Sequence, residues 1–67
     1  MQITVNGTRY DDLPPEMNVQ DLIVYLKLPK GKLAVERNLE IVPKSLYTQT
    51  QLRDKDRIEI VHFIGGG

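Results

Sequence analysis

Residues 57–67 read RIEIVHFIGGG. Ile58, Ile60, His62 and Ile64 alternate with Glu59, Val61 and Phe63, which is the period of a β-strand. Both faces turn apolar towards the end, and that suits a strand at the centre of a sheet better than one at its edge. Three glycines follow. Glycine loses more conformational freedom on folding than any other residue, so a terminal run of it does nothing to hold a fold together. A strand patterned for the interior thus feeds a segment with no side chains, and the rest of the chain has to account for both.

Upstream of this strand, RDKDR at 53–57 is a polar turn, with Asp54 and Asp56 as turn formers that hydrogen-bond their own backbone. At the other end of the chain, MQITVNG sets Met1, Ile3 and Val5 on one face and Gln2, Thr4 and Asn6 on the other, a half-buried strand. Asn6-Gly7 is a strong hairpin signal, because both residue types accept positive φ. TRYDDL returns as a second strand, stopped by Pro14-Pro15, which lack the N–H groups a ladder needs. The period then changes. Val19, Leu22, Ile23 and Leu26 form one apolar stripe of a helix of about three turns, with Asn18 as N-cap, Asp21 in the first turn and Pro29 as terminator.

KLAVERNLEIVP reads as a hairpin: Leu33 to Val35, a turn at Arg37-Asn38, then Glu40 to Val42. Ser45 is a plausible cap for one short helical turn, with Leu46 and Tyr47 tucked inward. Tyr10, Tyr25 and Tyr47 read as packing residues. The order β-β-α-β-β-turn-β describes an α+β domain, a mixed sheet packed on one main helix. Its first and last strands are placed parallel and central, with the helix in the crossover between them.

Composition narrows the function. Sixty-seven residues make one small domain, with little stability to spare for a deep active-site cavity. Cysteine is absent, which removes disulfides, thiolate metal sites and a thiol nucleophile, and favours a reducing, cytoplasmic home. The N-terminus starts a strand at once and has no signal-peptide pattern. No apolar run is long enough to span a membrane. Nine basic and nine acidic side chains cancel, and the basic ones are scattered; Lys27, Lys30 and Lys32 come nearest to a cluster and read as a solvated helix end. A nucleic-acid partner would call for a concentrated basic face.

No catalytic constellation is visible. His62 is the one histidine and has no neighbouring nucleophile in the pattern, so it reads as a half-buried structural residue of the strand. The pairs Asp11-Asp12 and Asp54/Asp56 supply too few converging oxygens for a hard cation. Glu36, Arg37 and Glu40 read as a solvated hairpin tip. The GGG run lacks the lysine and following helix of a phosphate loop. The metal expectation is none, and the catalytic expectation is none.

The glycines are left. Extended, three of them reach about 10 Å beyond the last strand. Without Cβ atoms they could enter a channel closed to other residues and present the Gly67 carboxylate inside another protein. A carboxylate is a poor electrophile until one oxygen is made a leaving group. A frayed terminus is the competing account.

MQITVNG, NVQDLIVYL, AVERNLEIVP and LRDKDRIEIVHFIGGG together resemble the β-grasp, ubiquitin-like sulfur carriers. Within that group they are most similar to the ThiS family of thiamine biosynthesis. The resemblance runs the length of the chain. It implies a β-grasp domain over residues 1–64 and a flexible glycine tail over 65–67. It implies that Gly67 is adenylated by an E1-like activating enzyme using ATP, with no cofactor bound by the carrier. A persulfide donor then converts Gly67 to a thiocarboxylate, and thiazole synthase accepts the sulfur. Gly65 and Gly66 carry over as the thin approach. Phe63, Ile64, Ile41 and Val42 are candidates to face partners; Val61 and Ile64 are also candidates for the core.

Two departures from the family pattern stand out: Asp-Lys-Asp at 54–56 for Asp-Gly-Asp, and Asn-Leu in the 38–39 hairpin for Asn-Gly, which puts that turn's geometry in question. The rivals are the small subunit of molybdopterin synthase, a protein-conjugating modifier joined through Gly67, and a β-grasp interaction module with an idle tail.

Overall fold

A computed structural model describes residues 1–28 and 31–63. Five strands and one helix appear in the order β1 (Ile3–Val5), β2 (Thr8–Tyr10), α1 (Val19–Tyr25), β3 (Lys32–Arg37), β4 (Glu40–Val42) and β5 (Arg57–Phe63), with a 3₁₀ turn at Lys44–Leu46 before β5. The sheet order is β2-β1-β5-β3-β4. β5 is therefore central. It runs parallel to β1 and antiparallel to β3.

Both hairpins turn on two residues of positive φ, Asn6 (48°) with Gly7 (83°) and Asn38 (52°) with Leu39 (72°). Positive φ at both central positions is the type I′ requirement, whose twist matches that of the flanking strands. The second turn thus sits one residue later than the Arg37-Asn38 expectation. Arg37 and Glu40 are the last paired residues, so β3 is a six-residue strand. Leu39 has taken on the backbone that a glycine would adopt more cheaply. β2 ends at Tyr10, four residues short of Pro14, and Asp11 turns aside to accept a hydrogen bond from Arg9 at 2.7 Å.

The helix is two turns long instead of about three. Asn18 caps it through a reciprocal box: its Oδ1 accepts from Asp21 N–H at 2.7 Å, and the Asp21 carboxylate accepts from Asn18 N–H at 3.1 Å. The end comes before Pro29, which lies outside the described residues. Lys27 adopts φ 56°, and the amides of Lys27 and Leu28 return to the carbonyls of Val24 and Ile23. This is a Schellman stop, with Lys27 taking the left-handed position in place of glycine.

The core lies between α1 and one face of the sheet. Ile3, Val5, Val35, Ile58 and Ile60 come from the strands, Val19 and Leu22 from the helix, and Leu13, Met17, Tyr47 and Leu52 from the connections. The strand periodicity put Ile3, Val5, Ile58 and Ile60 on this face, and the packing agrees. Ser45 is not a cap: Pro43 precedes the 3₁₀ turn and no side chain closes it. Tyr47 is buried while Leu46 is exposed, so only one of that pair is tucked inward.

Candidate functional site: the central strand and its open face

Everything that bears on the tail converges on β5. It pairs with β3 over six residue pairs, from Arg37↔Ile58 to Lys32↔Phe63, and with β1 at Thr4↔Arg57 and Val5↔Ile58. β1 is shorter than β5, and Asn6 completes its role. Ile60 N–H donates to Asn6 Oδ1 at 2.7 Å, and Asn6 Nδ2 donates to the Ile60 carbonyl at 3.0 Å. A side-chain amide thus stands in for one more residue of ladder.

The start of β5 is fixed by Asp56, a buried carboxylate. Arg37 Nε donates to its Oδ2 at 2.7 Å, Arg53 N–H to the same oxygen at 2.8 Å, and Asn38 Nδ2 to Oδ1 at 3.0 Å. Burial alone would raise this carboxyl's pKa; the hydrogen bonds from Arg37, Arg53 and Asn38, with the Arg37 charge, outweigh it and hold it below the usual carboxylate range. Arg37 is therefore half-buried and paired, not part of a solvated tip. Asp54 accepts from Gln2 N–H at 2.7 Å and ties the same turn to the N-terminus.

Side chains alternate along β5. Ile58 and Ile60 enter the core, and His62 follows them on that face, half-buried, its Nε2 inaccessible and without a hydrogen-bond partner among the described residues. Glu59, Val61 and Phe63 point to the open face. Val61 and Phe63 are each 54% exposed, which corrects the core assignment of Val61 and settles Phe63 as surface. On the edge strand Ile41 is 72% exposed and shares this face, since Ile41 opposes Glu36 and Glu36 opposes Glu59. Val42 is the reverse: it opposes Val35, is 8% exposed and belongs to the core, so it offers nothing to a partner. Ile64, Gly65, Gly66 and Gly67 lie outside the described residues. Ile41, Val61 and Phe63 are thus exposed apolar residues that share one sheet face, Val61 and Phe63 two apart on β5 and Ile41 across β3 in the row of Glu36 and Glu59.

The roles of Asn6 and Asp56 were not visible in the pattern. Asn-Gly announces a turn and Asp-Lys-Asp another; neither says that the side chain reaches across to a strand more than fifty residues away, or nineteen.

A five-stranded mixed sheet wrapped around one helix, with the first and last strands parallel at its centre, defines the β-grasp, ubiquitin-like class. The chain belongs to the ThiS family, whose model matches residues 2–67. It is 49% identical over 49 residues to the sulfur carrier protein ThiS of Bacillus subtilis, covering 73% of this chain and 74% of that one. The crystal structure of thiamine biosynthesis protein ThiS from Geobacter metallireducens superposes with a TM-score of 0.84 at 33% identity, covering both chains fully. A thiazole synthase of Paramagnetospirillum magneticum is 48% identical over all 67 residues, which span 20% of that longer protein.

Proposed function

We propose that this chain is a sulfur carrier of thiamine biosynthesis, a protein substrate and not a catalyst. The observation that carries the reading is the family match, which extends to residue 67 and so takes in the three glycines. The Gly67 carboxylate attacks the α-phosphorus of ATP on an E1-like enzyme, releasing pyrophosphate and forming an acyl adenylate. The terminal sulfur of a persulfide displaces AMP, and a thiol cleaves the resulting acyl disulfide, leaving the thiocarboxylate and a new disulfide. The thiocarboxylate sulfur is a soft nucleophile. It attacks a carbonyl-derived carbon on the acceptor enzyme.

That acceptor is thiazole synthase. In its support, chains named thiazole synthase from two organisms contain a segment similar to this whole chain. The three glycines supply the narrow approach, and the open face of Ile41, Val61 and Phe63 supplies the surface against which the activating enzyme and the acceptor seat the domain. No helix among the described residues is long and apolar enough to cross a membrane.

The test is the intact mass of the untagged chain from cells starved of thiamine. A fraction heavier by the difference between one sulfur and one oxygen, abolished by deleting Gly67, is the expected result. The plain carboxylate alone, even after incubation with ATP, an E1-like enzyme and a persulfide donor, would refute it.

A further inference from the structure

On the helix side of the sheet a groove of about 900 Å³ runs between the second turn of α1, the start of β3 and the 3₁₀ turn. Ile23, Leu28 and Leu33 line it without being fully buried, and Tyr47 closes it from below. Its size falls within the range of ligand-binding clefts. Its charge is one-sided. Lys27, Lys32 and Lys44 all line it, all three are exposed, and no described lining residue is acidic. In a chain whose charges sum to zero, a third of the basic residues gather at this one groove.

We propose that this groove docks an acidic, apolar-tipped segment of a partner protein. Apolar side chains would enter between Ile23, Leu28 and Leu33, and carboxylates would meet the three ammonium groups at the rim. Complementary potentials of this kind set orientation and speed encounter more than they add raw affinity. Phe63 lines the groove, so an occupant lies beside the end of β5. Phe63 belongs to the open face as well, so the two surfaces meet at the end of β5, while Ile41 and Val61 do not line the groove and stay available to a second partner. That two partners act in succession rests on the sulfur-carrier reading; the binding itself does not.

The experiment follows the NMR signals of the full isotope-labelled chain. The probes are two synthetic amphipathic peptides of identical leucine spacing, one with glutamate at every polar position and the other with lysine. The acidic peptide is expected to give saturable shifts at Ile23, Leu28 and Leu33, weakened several-fold from low to physiological salt, with no such response to the basic peptide. The Lys27→Glu/Lys32→Glu/Lys44→Glu variant should reverse the preference. Should its thermal midpoint fall, Lys32→Glu/Lys44→Glu, which spares the left-handed position at Lys27, serves in its place. Equal response to both peptides, silence at the groove, or shifts centred on Ile41 and Val61 would overturn the proposal. The mass shift at Gly67 is independent of all these outcomes, so a failure here and a failure of the carrier reading are told apart.

Discussion

Asn6 and Ile60 exchange two hydrogen bonds, donor to acceptor in both directions, although they are 54 residues apart. A hairpin turn and the central strand are thereby one unit. Asn6 also holds φ 48°, where most side chains are penalised. Asn6→Ala therefore removes both bonds and adds backbone strain, with an expected loss of about 2–3 kcal/mol. Asn6→Gly removes the bonds alone and should cost about 1 kcal/mol less. Urea midpoints for the two variants check this, and equal losses would show that the backbone contributes nothing.

Leu39 presents the opposite case. It is 77% exposed, and its φ of 72° belongs to glycine. A left-handed side chain costs about 1–2 kcal/mol, and glycine's extra unfolded-state freedom returns part of that. Leu39→Gly is expected to stabilise the domain by up to about 1 kcal/mol, read as a thermal midpoint a few degrees higher. A fall in the midpoint would mean that Leu39 packs more than its exposure implies.

Asp56 should set the acid limb of the fold's stability. Its pKa is lower in the folded than in the unfolded chain, so its contribution is fully present above the unfolded value of about 4. It is lost as the pH falls through the folded-state value. Asp56→Asn should lower stability at neutral pH and flatten the decline below pH about 4 in urea titrations across pH. An unchanged acid slope would place the acid sensitivity elsewhere.

Ile41 and Val61 are surface residues of the open face, so Ile41→Lys and Val61→Lys should shift stability by less than about 1 kcal/mol. On the proposed sulfur-carrier reading, thiocarboxylate formation with an E1-like activating enzyme, followed by intact mass, should nevertheless slow in both. Unaltered rates in both variants would remove this face from partner recognition.

Much of this architecture is written in local pattern. The alternation in ITV and RIEIVHF, the Asn6-Gly7 turn and the Val19/Leu22 stripe each specify an element without help from the rest of the chain. The readings that failed depend on tertiary context. Lys27 in the left-handed Schellman position shortened the helix where the pattern offered only Pro29 as a stop, because a non-glycine residue there carries no composition signal. Val61 and Val42 have the same side chain on β5 and β4, the two strands that flank β3, and only the register of β3 with each decides which is surface and which is core. Asp56 looked like any turn aspartate, since nothing local announces that Arg37 and Asn38 come to meet it.

The position of β5 also has a mechanical meaning. A partner that draws the C-terminus into a narrow channel pulls along the axis of a strand bonded on both sides, to β1 and to β3. The rungs of both ladders lie across that axis, so the load falls on them together in shear, where an edge strand would carry it on one ladder alone. The domain can be held by its last residues, and tugged by them, while its body stays whole.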